Sequence, residues 1–406
     1  MIKGIISKDK GRELVSRMGD GIENTIGKTV QSRLEVSDLD INVLMGDDDS
    51  SIIPEEMTWY RVPLENGISG DGSSYHTYVS KGKCNNLCII ISGGGVAWNE
   101  YTAARPVTGG KVAAGLPNFY WNNLRPFTQL MNINIGITNT KNSSNPFAEW
   151  SFVVITYATG DFHIGNSEFH YKTEDGEDAI LHFAGHGNFQ ETMRVAKKLF
   201  PSPDKLLVAG NSAGAFAVPA LAGEISDKYY PDCGDITLLS DSGLLLYKDW
   251  KRTASDVWEA DEAFVSRLHS DNPTVDWYES LYAKYGKRFK YLYASSTRDY
   301  LLSSYYNDII TKQYKTDSDV QQAFYEQLKV MVRQLKDITE DFHFYIFDWS
   351  MLPLAVGRGG TVHTALKEIT FASKKSEDKT MANWLMDQAD GNPYDIGMKL
   401  LEPDCS

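Results

Sequence analysis

Six strand-length apolar runs, separated by segments of helical periodicity, constrain this chain more than anything else in it. The runs are LCIIIS (87–92), FVVITYA (152–158), KLLVAG (205–210), DITLLSD (235–241), KYLYASS (290–296) and FHFYIFD (342–348), all rich in branched and aromatic residues. Apolarity that is continuous rather than alternating marks strands buried on both faces. Helical patterns lie between several of them, at 188–200, 214–230 and 319–337. Strand, helix and strand in succession predict an α/β fold: a mostly parallel central sheet with helices on both faces. With 406 residues, 42% hydrophobic and 23% charged, the chain has material for the core such a sheet needs.

Residues 1–56 read as an N-terminal appendage and linker, and residues 57–406 as the α/β domain. The appendage holds a polar helical pattern followed by INVLMGDDDSSIIPEE. Asp47, Asp48 and Asp49 lack the glycine and the bidentate carboxylate spacing of a calcium loop, so a solvated linker is expected there. The first twenty residues show no apolar signal-peptide core, and no stretch approaches the roughly 20 apolar residues of a membrane helix. Of the four cysteines, Cys84 and Cys88 would stand about 13 Å apart if extended, beyond disulfide reach. A reducing, cytoplasmic location is therefore expected, or a secreted one had a leader been removed. The net charge of -14 repels nucleic-acid backbones and anionic membranes, so neither is expected as a partner and a neutral small molecule fits better.

The run at 205–210 leads into LLVAGNSAGAF, in which Gly210, Ser212 and Gly214 form G-x-S-x-G between a buried strand and a helix. That context suits a sharp turn that lifts a serine oxygen to the carboxyl edge of the sheet. The competing reading is a tight turn in which Ser212 only caps the helix. Two further features favour the nucleophile. Gly93, Gly94 and Gly95 follow another buried strand and expose backbone N–H groups without side-chain obstruction. Asp299 and His363 then follow Ser212 beyond later strands, in the serine, acid, histidine order of α/β-hydrolases. A serine alcohol needs a base to become nucleophilic, and the imidazole needs a carboxylate to hold its tautomer.

The motifs LCIIISGGGVAWN, NPFAEWSFVVITYATGDFHIGN, HFAGHGNFQETM, LLVAGNSAGAFA, LLSDSGLLL and RFKYLYASSTRDY, in that order, resemble those of the pectin acetylesterase/Notum family over roughly residues 57–390. The resemblance implies an α/β-hydrolase fold and a serine carboxylesterase that needs no cofactor and no metal. Position by position, Ser212 matches the nucleophile, Asp299 the acid and His363 the base, with Gly95, Val96 and Ala213 at the oxyanion-hole positions. The chain departs from the cysteine-rich plant and animal members: Val96, Ala97 and Ala215 stand where those carry other residues. About 15 residues separate Asp348 from His363, a longer connection than in related bacterial sequences.

Other residues compete for roles at such a site. Asp241, which also ends a strand, is the rival acid. His182 and His186 are spaced i, i+4 and could pair on a metal if helical, but the glutamate of a metalloprotease motif is missing. Trp98, Tyr101 and His163 are expected to line the substrate site, within an aromatic cluster that includes Phe119, Tyr120 and Trp121. The expected substrate is a small-molecule or saccharide ester with a short, acetyl-type acyl group. A longer acyl chain on a lipidated peptide, or a silent hydrolase fold that only binds a ligand, are the alternatives.

Overall fold

The computed structural model describes residues 36–40, 54–350 and 359–402. All six apolar runs are strands of one nine-stranded sheet. Its strands are β1 (Ser37–Asp38), β2 (Trp59–Ile68), β3 (Ser74–Ser80), β4 (Asn86–Ile91), β5 (Ser151–Ile155), β6 (Lys205–Asn211), β7 (Ile236–Asp241), β8 (Phe289–Ser296) and β9 (Phe342–Phe347). Their spatial order is β1-β2-β3-β5-β4-β6-β7-β8-β9. Every pairing from β5 to β9 is parallel, while β3 runs antiparallel to both β2 and β5. The fold is that of an α/β-hydrolase.

Side chains explain the continuous apolar runs. Along β6, Leu206 and Val208 enter one hydrophobic core, and Leu207 and Ala209 enter a second on the opposite face. Successive strand residues point to opposite faces, so a sheet covered on both sides needs apolar residues at every position. The helix following β6, α1 (Ala213–Glu224), is buried from Ala213 to Ala222. It is apolar all round because it packs against β6 and β7 on one side and the helix Pro273–Tyr285 on the other.

The antiparallel edge, β2 and β3, is the part the apolar runs do not announce. Strand β2 carries Pro63, Glu65 and Asn66 and is only partly covered, so its pattern is that of an edge. Residues 36–40 extend this edge: β1 pairs with β2, Asp38 forms an ion pair with Arg61 at 2.6 Å, and Leu39 joins the core. Asp47, Asp48 and Asp49 lie outside the described residues, as does most of the segment read as an appendage.

The sheet order also locates the site. From β4 the chain moves outward to β5, then returns past β4 to place β6 on its other side. This reversal leaves a crevice at the carboxyl ends of β4 and β6, the usual ligand position of open parallel sheets.

Candidate active site

Ser212 alone separates the end of β6 from the start of α1. Its backbone sits at φ 55°, ψ -123°, a conformation that costs a residue with a side chain about 1–3 kcal/mol. The flanking glycines are required by close approach. A Cβ on Gly210 would stand 2.1 Å from the Gly214 carbonyl oxygen, and one on Gly214 would stand 1.9 Å from that of Ile91. The elbow is held by the Ser212 N–H, which donates to the Asp241 carbonyl at 2.8 Å. Ser212 Oγ makes no capping bond to the helix, so the helix-cap reading does not describe this serine.

Its oxygen faces His363 instead. His363 Nε2 lies 2.7 Å from Ser212 Oγ, and Nδ1 lies 2.6 Å from Asp299 Oδ2. An ionised carboxylate only accepts hydrogen bonds, so Nδ1 carries the hydrogen and Nε2 presents its lone pair to the serine hydroxyl. Burial pushes the imidazole pKa down, while the charge and hydrogen bond of Asp299, with the charges of Asp241 and Glu368, push it up, and the net direction is upward. Asp299 is fully buried. Its other oxygen, Oδ1, accepts from the N–H groups of Leu301 and Leu302 at 2.9 Å each and caps the helix Tyr300–Thr311. One carboxylate therefore orients the imidazole and starts a helix.

Backbone bonds carry the histidine segment to the acid. The Thr361 N–H donates to the Arg298 carbonyl at 2.9 Å, and the Val362 N–H to the Trp349 carbonyl at 2.8 Å. Asp241, the rival acid, supports the same segment without touching the imidazole. Its Oδ2 accepts from the N–H groups of Ala365 and Leu366 at 2.8 and 2.7 Å. Burial pushes its carboxyl up to about 6 despite these bonds. The adjacent Ser242 hydroxyl donates to the His363 carbonyl.

The glycine loop lies directly beside the serine: a Cβ on Gly93 would be 2.6 Å from Ser212 Cβ. Gly95 forms an antiparallel bridge with Tyr120. In that bridge the Val96 N–H donates to the Phe119 carbonyl at 2.8 Å, and the Trp121 N–H to the Gly94 carbonyl at 2.8 Å. The expectation that Val96 supplies an oxyanion donor is therefore corrected, because its hydrogen is already committed. The N–H of Gly95 points away from the bridge, and those of Gly94 and Gly95 take no partner among the described residues. The Ala213 N–H, first in α1, has no intrahelical partner either.

A cavity of about 350 Å³ opens over Ser212 and His363. Its walls include Trp121, Met131, Ile135, Tyr157, Tyr305 and Lys367. The three residues expected to line it do not. Trp98 is buried behind the loop, packed on Phe119 and Trp250. Tyr101 lies at the surface under the Arg105 guanidinium, 4.0 Å from its ring centroid. His163 is buried against Tyr157, and its Nε2 donates to the Ser92 carbonyl at 2.8 Å. Burial pushes the His163 pKa down to about 4, so its ring is neutral and braces the residue that enters the glycine loop.

His182 lies in a strand of the hairpin Ser167–Lys172/Asp178–Phe183, whereas His186 lies on the helix Gly185–Leu199 and bonds Glu224 at 2.9 Å. They do not share a helix face. No group of three His, Cys, Asp or Glu placed to hold a metal ion occurs among the described residues. No helix among them is long and apolar enough to cross a membrane.

Comparison with known families finds that the pectinacetylesterase family model matches residues 65–266. The matched span contains the glycine loop and Ser212. Asp299 and His363 lie beyond it and reach the serine through the geometry above. No curated protein matches the chain.

Proposed function

We propose, for a chain that belongs to the pectinacetylesterase family and is thereby a carboxylic ester hydrolase, that Ser212, His363 and Asp299 form its catalytic triad. The observation that carries this reading is the continuous hydrogen-bonded line from Ser212 Oγ through both ring nitrogens of His363 to Asp299. Ser212 Oγ attacks the ester carbonyl while His363 Nε2 takes its proton, and Asp299 stabilises the imidazolium so formed. The N–H groups of Ala213 and Gly95, with Gly94 beside them, receive the developing oxyanion. His363 then returns the proton to the leaving alcohol, and water, deprotonated by the same nitrogen, releases the acyl group from Ser212.

The substrate is an acetyl-type ester of a saccharide or similar alcohol. The cavity's size and apolar walls favour a second reading, in which a longer acyl chain occupies it. A series of p-nitrophenyl esters from acetate to decanoate decides between them. Maximal kcat/KM at acetate supports the first reading, and a maximum at six carbons or more supports the second. Labelling of Ser212 by a fluorophosphonate tests the nucleophile, and failure to label points to a silent hydrolase fold.

A further inference from the structure

We infer that Lys367 is a positioning residue that ties the segment carrying His363 to the entrance of the glycine loop. Its Nζ donates to Ser92 Oγ at 2.8 Å and to Asn132 Oδ1 at 3.0 Å. The Ser92 hydroxyl itself donates to Asn132 Oδ1 at 2.8 Å, and Asn132 Nδ2 donates to the Thr128 carbonyl at 2.9 Å. Ser92 is the residue immediately before Gly93. Its N–H donates to the Ile155 carbonyl at 3.0 Å, and its carbonyl accepts from His163 Nε2 at 2.8 Å. Backbone and side chain of Ser92 are thus both fixed, and the side-chain anchor is an ammonium four residues after His363.

The energetics single this lysine out. Its charge is desolvated at the cavity wall between two neutral acceptors, and burial pushes its pKa down to about 7. Placing a cation there costs stability that a methionine of similar length would not. A lysine amine buried at such a cost in the wall of the cavity, against the entrance of the glycine loop, serves the geometry of the site rather than the fold. Both loops tied by the lysine carry reacting parts: the Gly94 and Gly95 N–H groups on one, the general base on the other. A shift of one loop against the other changes transition-state contacts more than ground-state binding.

This inference rests on the triad reading, and its test keeps the two apart. Wild-type protein and Ser212→Ala are first compared by fluorophosphonate labelling, which reports the triad alone. Lys367→Met, Ser92→Ala and the double variant are then assayed with p-nitrophenyl acetate, their folding checked by thermal unfolding. The expected result is a fall in kcat of up to about 10²-fold in Lys367→Met with little change in KM. A smaller fall of the same kind is expected in Ser92→Ala, and the double variant should be no worse than Lys367→Met, because the residues act as one unit. Unchanged kcat in Lys367→Met, or a raised KM with kcat intact, overturns the proposal, the latter by making the lysine a substrate contact. If Lys367→Met does not fold, Ser92→Ala decides alone: reduced kcat at constant KM supports the clamp, and wild-type kcat overturns it.

Discussion

Asp241 grips the backbone of Leu366 at 2.7 Å and leaves the imidazole of His363 to Asp299. Two buried carboxylates thus act on one histidine, Asp241 through the main chain of the residues two and three positions beyond it and Asp299 through its ring. Asp299→Asn is expected to lower kcat by about 10⁴-fold, because an amide at this position no longer enforces the Nδ1–H tautomer. Asp241→Asn keeps one oxygen that can accept from the Ala365 and Leu366 N–H groups, but removes the negative charge that strengthens those bonds and replaces the oxygen facing the Ser242 hydroxyl with an amide NH2. It is expected to cost about 1–3 kcal/mol of stability and to reduce kcat far less than Asp299→Asn. Parallel kinetics and denaturant unfolding of both variants check this, and equal kinetic losses would assign the acid role to neither alone.

The pH profile has a definite sign. Only neutral His363 accepts the serine proton, so kcat/KM rises with pH through the pKa of the free enzyme. Burial lowers that pKa, and the carboxylates around the ring, Asp299 foremost, raise it to a net upward shift, so the midpoint is expected above the ordinary histidine value of about 6.5. In Asp299→Asn the opposing carboxylate is gone while burial remains, and the residual activity should show a lower midpoint. A midpoint that does not move between the two proteins would detach the titration from this pair.

Salt separates substrates by charge. Two cations that follow the loop in sequence are engaged: Arg105 and Lys111 both pair with Glu174, at 3.1 and 2.8 Å. The net charge of -14 therefore governs encounter with a polyanion. Raising ionic strength is expected to leave kcat/KM for p-nitrophenyl acetate nearly constant and to improve hydrolysis of acetylated pectin by screening repulsion. Pectin turned over faster at low salt would show that the cavity attracts anions.

These outcomes follow from contacts that differ in how far the sequence reveals them. The strands and the serine elbow were legible because each depends on local pattern: continuous apolarity for a doubly covered strand, and two small residues flanking a turn. Ser212 and Asp299 were legible for the same reason, each lying just beyond an apolar run, whereas His363, about 15 residues past Asp348, was legible only through its place in the order. The oxyanion donors were legible only in part, since the fate of the Val96 N–H depends on a bridge between Gly95 and Tyr120. Trp98 and Tyr101 show that aromatic richness near a loop does not say which side of the cavity wall a ring occupies. Lys367 carries no local signal, because its partners Ser92 and Asn132 are 275 and 235 residues away.

Acyl transfer to Ser212 is tested most directly by intact-protein mass spectrometry after brief mixing with p-nitrophenyl acetate and an acid quench. The wild-type protein is expected to gain one acetyl group, mapped by peptide analysis to Ser212, and Ser212→Ala to gain none and to lose turnover by at least about 10⁴-fold. An acetyl group found on another residue, or a Ser212→Ala variant that keeps more than about a tenth of wild-type turnover when triad loss should cost far more, would contradict the assignment of Ser212 as the nucleophile.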